Sequence, residues 1–385
     1  MRVAVVTETF YPFKGGSSRR YFEVFRRLAK RGYEVHVYTV RLSAQWPVRE
    51  ELEGLSIRRT PWPLERFITP QGLRSGSQVM LYTSWLLGEL GRERYDIIEA
   101  NHCPLFPCLP SWLLSRSRRT PLSVTFHEVW QNHWRRYVPS SVLVPFGIAL
   151  ERLVARLPNL CIAVSEFTAQ RMRRLLHVPG SRIEVIPNGV PVLHEAPGAE
   201  GRERGRLIYV GRLNPHKRLE LLLDALLLLG QRGHELKLDV IGEGPMEPIY
   251  QAYAAKRGLN GRVSFLGALH DRELFARLSR AYVYVLPSER EGQSITTLEA
   301  MAAGTPQVVV SGDGNGAAKL VAEGRTGLVA RPEPRALAEA VELLLNDEGL
   351  WRRLQRNGLS YAAAWPWDRV ALLHDLAYRR LLGEA

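Results

Sequence analysis

Short runs of apolar residues alternate along most of the chain with stretches whose apolar positions recur three and four apart. MRVAVVTETF has the continuous hydrophobic character of a strand buried on both faces, YFEVFRRLAKRG has helical spacing, and YEVHVYTV returns to a strand. DIIEANH, LSVTFHEV and NLCIAVS continue the strands, with ERLVARL and EFTAQRMRRLL as helices. Over residues 186–205, IPNGVPVLHEAPGAEGRERG, the periodicity dissolves into proline, glycine and charge, which predicts a linker. A second alternation then starts at RLIYVGR and runs through LKLDVIG, RVSFLG, AYVYVLPS and TPQVVVS. Strand and helix in this rhythm predict parallel, doubly wound sheets. The expected fold is α/β, with two Rossmann-like domains, residues 1–186 and 187–367, facing a central cleft that is the natural ligand site.

Composition narrows this picture in two ways. The chain has 385 residues, 45% hydrophobic and 24% charged, which suits two soluble domains. Its three cysteines argue against a disulfide framework and for a reducing compartment. His102, Cys103 and Cys108 lack zinc spacing, so buried thiols are expected and no metal site. The N-terminus lacks the apolar core and cleavage site of a signal peptide, and no apolar run reaches membrane-spanning length. Charge is the unusual property. Of a net +13, residues 1–190 hold 27 Lys and Arg against 15 Asp and Glu, and the remainder 25 against 24. An anionic partner surface is therefore expected on the first half.

Candidate chemistry lies at the ends of strands, where open α/β sheets bind ligands. Neither half has a dinucleotide fingerprint, a Walker loop, an HExxH or a nucleophile elbow. After RLIYV come Gly211, Arg212 and, five residues later, Lys217; an arginine grips a phosphate with two parallel bonds and a lysine adds a point charge. His127 follows a strand of the first half. In SEREGQSITTLEAMAAGTP, Glu291 is expected in a strand-to-helix loop, and Glu299 two turns into a helix beginning near Gln293. At that separation the two acids do not form a dyad. They fit as separate acceptors along one elongated ligand lying over a helix N-terminus, whose amides suit a phosphate.

Together, the glycine pair of FYPFKGGSSRRYFEVF, the His127-Glu128 step, VSEFTAQRM, VIPNGV, VGRLNPHKRLELLLDAL, VIGEGP, FLG and EGQSITTLEAMAAGTP resemble the GT-B glycosyltransferases of the retaining family 4 type. The resemblance covers almost the whole chain. It implies that amides of Gly15 and Gly16 approach a donor diphosphate, which Arg212 and Lys217 neutralise beside Gly211. Glu291 would hold donor-sugar hydroxyls, and the amides of Gln293, Ser294 and Ile295 would meet sugar and phosphate. Glu299 would take the ribose, Gly242 and Leu266 would lie near the nucleoside, and His127 near the reacting carbon. A helix over about 368–385 would pack back on the first domain. The implied activity is retaining, metal-independent transfer of a hexose-type sugar from a nucleoside-diphosphate sugar (a UDP-sugar or GDP-mannose), with no cofactor. Glu128, Gln293 and Pro191 depart from the family pattern, and these departures bear on donor identity.

The basic first half suggests a cytoplasmic enzyme, peripheral at the inner face of the cell membrane, acting on a lipid-linked or glycan acceptor. Trp112, Arg116, Arg118, Arg119, Trp134, Arg135 and Arg136, with Tyr137 and VPSSVLVPFGIAL, are the expected membrane contacts. Alternatives weighed are another GT-B enzyme, such as a nucleotide-sugar epimerase or a sugar phosphorylase, and a basic nucleic-acid-binding protein. No recognition module supports the last, so no nucleic-acid partner is expected.

Overall fold

Parallel strands covered on both faces must be apolar throughout, and the first strand obeys this. In β1 (Arg2–Val6) every residue after Arg2 is buried, and Val3 lies between Val35 and Ile97 of the neighbouring strands. The computed structural model describes residues 1–69, 73–137, 143–192 and 201–384. The chain divides into two units, Met1–Asn188 with Trp367–Ala385, and Gly189–Pro366. Residues 193–200 of the linker lie outside the described residues.

Among the described residues, the first unit holds an eight-stranded sheet. Its strands are β1, β2 (Glu34–Thr39), β3 (Arg49–Leu52), β4 (Leu55–Arg59), β5 (Ile97–Asn101), β6 (Leu122–Phe126), β7 (Leu160–Ala163) and β8 (Ile183–Val185). The order is β3-β4-β2-β1-β5-β6-β7-β8, parallel except for the β3–β4 hairpin. Glu53 and Gly54 turn that hairpin with φ of 52° and 80°, the left-handed pair a tight two-residue hairpin needs.

The second unit repeats the design with β9 (Glu203–Val210), β10 (Lys237–Ile241), β11 (Val263–Phe265), β12 (Ala281–Leu286), β13 (Arg290–Glu291), β14 (Gln307–Val310), β15 (Gly314–Asn315) and β16 (Gly327–Ala330). Six of them form a parallel sheet, β11-β10-β9-β12-β14-β16, while β13 and β15 pair separately. Leu207 sits between Leu238 and Val283, as Val3 does between its neighbours in the first sheet. The leucine-rich helix Leu219–Gln231 buries seven side chains in this unit's core, with fully buried Trp351 among the other core members.

Each unit also buries an arginine that ties distant segments together. Arg20, on the helix Gly16–Lys30, donates to the carbonyls of Ile186 (2.8 Å) and Pro187 (2.8 Å) and to Asn188 Oδ1 (3.0 Å). Its Nη2 also meets His374 Nε2 at 3.1 Å, which brings in the C-terminal helix Trp367–Leu382. Burial lowers the Arg20 pKa to about 10, so the guanidinium stays charged at neutral pH. Arg202 does the same work in the second unit, reaching the carbonyls of Ala281 (3.0 Å) and Ala303 (2.6 Å) and Thr305 Oγ1 (2.9 Å). Fixed carbonyls suit a buried guanidinium, whose five donors would otherwise go unsatisfied.

Burial lowers the pKa of four imidazoles in the first unit, His36 among them. His102 falls to about 4 and His127 to about 3, burial being the largest cause in both, and His374 falls well below its ordinary range. A histidine with a lowered folded pKa binds its proton more readily in the unfolded chain, so stability is lost as pH falls below about 6.5. Buried Glu99 has its carboxyl pushed up by burial, which acts in the opposite direction in the carboxylate range. Four imidazoles outweigh one raised carboxyl. The first unit is expected to melt progressively earlier from pH 6.5 to 4, by up to about 1.4 kcal/mol per pH unit for each imidazole. Differential scanning calorimetry should show a shallower pH slope for His102→Leu than for the wild type, and an unchanged slope would contradict this account.

Candidate active site

The strands of the second unit end in loops that lock onto one another. After β9, the Gly211 amide donates to Ile241 O (2.9 Å), Leu213 to Glu243 O (2.9 Å), and Met246 back to Leu213 O (2.9 Å). Gly242 adopts φ 125°, and a Cβ there would lie 2.1 Å from Gly211 O. Only glycine fits. The turn Pro215–Lys217 follows, and the His216 carbonyl accepts from the Glu289 amide at 2.9 Å. One backbone bond thus couples the Arg212–Lys217 loop to the stretch that carries Glu291.

Glu291 is not in an open loop, as its sequence context suggests, but in the two-residue strand β13, opposite Asn315 of β15. Asn315 Nδ2 donates to Ser288 O (2.8 Å) and Val310 O (2.8 Å), while its Oδ1 caps the helix Gly316–Gly324. This asparagine holds β13 in place. Its signal in the sequence is an N-cap asparagine directly before GAAKLV. Fixed in this way, Glu291 Oε1 lies 2.5 Å from Lys217 Nζ, with both side chains largely buried. Lys217 and Glu291 are thus paired with each other.

The helix expected from Gln293 begins at Ile295 and runs to Ala302. Ser294 is its N-cap, at φ 70°, and its hydroxyl accepts from the Thr297 amide at 3.3 Å. A non-glycine residue in that region costs about 1–3 kcal/mol, which its surroundings must offset. Gln293 and Ile295 are buried, and Glu299, at 2% exposure, is an interior carboxylate and not a surface acid. The Gly242 amide donates to Gly267 O (2.8 Å), and the Leu266 amide to Val240 O (2.9 Å), which places both at the ends of β10 and β11. Arg212 is half-buried, and its carbonyl accepts from Tyr209 Oη at 3.3 Å.

In the first unit, Gly15 is the extended N-cap of the helix that starts at Gly16, and no side chain caps it. His127 follows β6, and its Nε2 is buried with no hydrogen-bond partner among the described residues. Burial, with repulsion from Arg20 and His102, keeps the ring neutral near pH 7. Sequence reasoning missed Glu8, a buried acid directly after β1, which accepts from Arg74 Nε (2.8 Å) and also pairs with its Nη2. The acid in TETF, immediately after a fully apolar strand, is the signal that would have found it.

The expected membrane residues separate into two groups. Trp112 and Trp134 are partly buried and pack on the first unit's core, and Trp134 Nε1 donates to Glu151 Oε2 at 3.0 Å. Arg118 donates to the carbonyls of Gly91 and Glu93, where it closes the end of the helix Gly76–Leu90. Arg116, Arg119 and Arg135 are exposed. The side chains of Arg136 and Tyr137, and residues 138–142, lie outside the described residues. Among the described residues, no group of three His, Cys, Asp or Glu is placed to hold a metal, and no helix is long and apolar enough to cross a membrane.

Two Rossmann-like sheets in one chain define a GT-B fold. The sucrose-phosphate synthase structure from Thermosynechococcus elongatus has the same fold, with TM-score 0.84 and 22% identity over 100% of both chains. Anabaena HepE in complex with UDP-glucose aligns at TM-score 0.75 and 18% identity over 100% of both. Residues 14–193 match the model of glycosyltransferase family 4, and residues 195–361 that of glycosyl transferases group 1. The chain belongs to this family, and it transfers a sugar from a nucleoside-diphosphate sugar to an acceptor. It is 29% identical to D-inositol 3-phosphate glycosyltransferase of Corynebacterium glutamicum strain R, over 96% of this chain and 94% of that one. It is 30% identical to alpha-D-kanosaminyltransferase of Streptomyces kanamyceticus, over 66% and 68%.

The close backbone approach carries a direct test. Gly242→Ala should destabilise the second unit by more than about 2 kcal/mol, because the added methyl meets a carbonyl and not a yielding side chain. Gly258 has φ 68° with nothing within 4 Å of an added Cβ, so Gly258→Ala carries only the cost of its backbone conformation, about 1 kcal/mol. Urea titration of the two variants should separate crowding from φ, and equal losses would refute the crowding.

Proposed function

We propose that the second unit holds the nucleoside-diphosphate sugar and that transfer proceeds with retention, without a metal, to a hydroxyl of a lipid-linked or glycan acceptor. The observation that carries this reading is the 2.5 Å approach of Lys217 to Glu291, which brings the phosphate-gripping loop and the sugar-gripping carboxylate to one place. In this reading Arg212 and Lys217 face the diphosphate, helped by the N-terminus of the helix Ile295–Ala302. Glu291 takes sugar hydroxyls, and interior Glu299 takes the ribose. On the first unit, the buried Nε2 of neutral His127 has no hydrogen-bond partner among the described residues. A neutral imidazole suits a hydroxyl group and not a proton relay at pH 7.

The chemistry follows from where charge develops. The bond between the anomeric carbon and the phosphate oxygen breaks, and the diphosphate leaves with the electron pair. Arg212, Lys217 and the helix terminus stabilise that charge as it forms. The acceptor oxygen bonds to the anomeric carbon on the same face, and its proton passes to the departing phosphate oxygen. Glu291 positions the sugar and is not a nucleophile, unlike the paired carboxylates of retaining glycosidases.

Steady-state kinetics and calorimetry should bear this out. Arg212→Ala should lower kcat more than it weakens donor binding, since the leaving-group charge grows towards the transition state. Glu299→Ala should weaken the nucleoside diphosphate and the nucleotide sugar alike. Glu291→Ala should abolish most transfer with folding retained, and EDTA should change little. Near wild-type turnover in Glu291→Ala would sink the assignment.

We also propose that the enzyme is cytoplasmic and works against an anionic membrane. Support comes from Met80, Leu81 and Leu87 on the helix Gly76–Leu90 and Leu113 on the helix Cys108–Arg118, all exposed. Exposed Arg116 and Arg119 belong to the same region of chain. Arginines near an anionic bilayer contribute about 1 kcal/mol each, screened by salt. Co-sedimentation with anionic vesicles should fall in Arg116→Gln/Arg119→Gln and in Leu81→Gln/Leu113→Gln, with donor affinity unchanged. Indifference to lipid charge would remove the case for a lipid-linked acceptor.

A further inference from the structure

The Lys217–Glu291 pair has a consequence beyond donor binding, because each member is fixed by the backbone around it. Lys217 ends a tight turn closed by its own amide to Asn214 O (3.0 Å) and by Arg218 to Pro215 O (3.2 Å). Glu291 is held on β13 against β15. The side chains are only 14% and 11% exposed, so this is not a loose surface pair that water screens away. Any ligand that takes the Lys217 ammonium competes for it with a carboxylate 2.5 Å away.

We propose that this pair makes the site discriminate the intact nucleotide sugar from the spent nucleoside diphosphate. The proposal rests on the reading of the second unit as the donor site. A bare diphosphate that recruits Lys217 leaves Glu291 stripped of its cation, largely buried, and facing a second anion. That arrangement is unfavourable on both counts. The intact donor recruits Lys217 in the same way, but its sugar brings hydroxyl donors to Glu291. Both members then exchange one partner for another. Specificity between two ligands is a difference of affinities, and here the penalty falls on the product alone. Departure of the sugar to the acceptor removes the hydroxyls, so the pair can re-form and help displace the diphosphate.

The test is isothermal calorimetry on the full chain with UDP, GDP and ADP and with their glucose or mannose conjugates, starting with the pair that raises the melting temperature most. Glu291→Gln frees Lys217, so it should bind the nucleoside diphosphate about 5- to 30-fold more tightly while binding the nucleotide sugar more weakly. Glu291→Asp shortens the carboxylate's reach and should shift both affinities the same way by less. The double variant Lys217→Gln/Glu291→Gln should gain less over Lys217→Gln than Glu291→Gln gains over the wild type. A Glu291→Gln protein with unchanged or weaker diphosphate affinity overturns the proposal. A gain of the same size in the Lys217→Gln background also overturns it, because the whole effect would then be relief of anion repulsion, with no part played by an unmasked lysine. The donor-site reading fails separately, if Arg212→Ala and Glu299→Ala leave diphosphate affinity untouched. Should neither the wild type nor Glu291→Gln bind any of the three diphosphates, both fall together.

Discussion

The second unit depends on one close approach of backbone to backbone. At the ends of β9 and β10, Gly242 passes so near the Gly211 carbonyl that a single methyl would stand 2.1 Å from it. From that approach the two loops run as a pair, exchanging the Leu213–Glu243 and Met246–Leu213 bonds, and so Arg212 leaves the sheet in a fixed direction. The next turn presents Lys217, and the His216–Glu289 bond carries the same constraint across to β13. Polar side chains on loops are usually costly to hold still, because long rotamers lose entropy when ordered. Here the loops are already ordered by main-chain bonds. What remains to be fixed is a few side-chain torsions.

Charge in the first unit follows a similar logic. The sequence surplus of basic residues looks like an external patch, yet much of it is used inside. Arg20 serves the stretch 186–188 and His374, and buried Arg59 reaches Pro47 O (3.0 Å), Tyr11 O (2.9 Å) and Glu50 (2.7 Å). Arg74 is held by Glu8, and Arg58 by Glu93. An arginine can tether irregular chain this way because its planar fork matches several carbonyls at once. Net charge counted from sequence therefore does not say where on the unit its charges lie. The exposed remainder is concentrated at helix ends, where Arg116 and Arg119 also suit the negative end of the dipole of Cys108–Arg118.

How far the sequence could be read depended on the range of the forces involved. Continuous apolar runs such as VAVV and AYVYVL mark parallel strands because both faces of each are covered, a local requirement that leaves a local trace. The element Glu291–Glu299 was legible for the same reason, as a strand end, a helical period and a helix stop in sequence. Features set by distant partners were not. β13 is two residues long and exists because Asn315, more than twenty positions later, bonds to Ser288 O and Val310 O. The β3–β4 hairpin escaped notice because its strands carry arginine and glutamate, which blur a period of two. Trp134 looked interfacial beside its arginines, but Glu151 takes its indole N–H, and the two residues are seventeen apart.

The two glutamates that look equivalent in sequence end in opposite physical settings, and the difference bears on what each can do. Glu299 lies inside a helix at 2% exposure, so its carboxylate geometry is fixed by packing before any ligand arrives. A fixed acceptor selects for shape and adds little cost on binding, which suits a part of the ligand that stays the same through the reaction. Glu291 sits at the edge of a two-residue strand with a flexible ammonium as its partner. Its energy depends on what replaces that partner. A carboxylate in this position responds to whether hydroxyls are present, and the sugar is the part of the ligand that leaves. In the proposed reading, the unchanged end of the donor meets a rigid acid and the transferred end an exchangeable one.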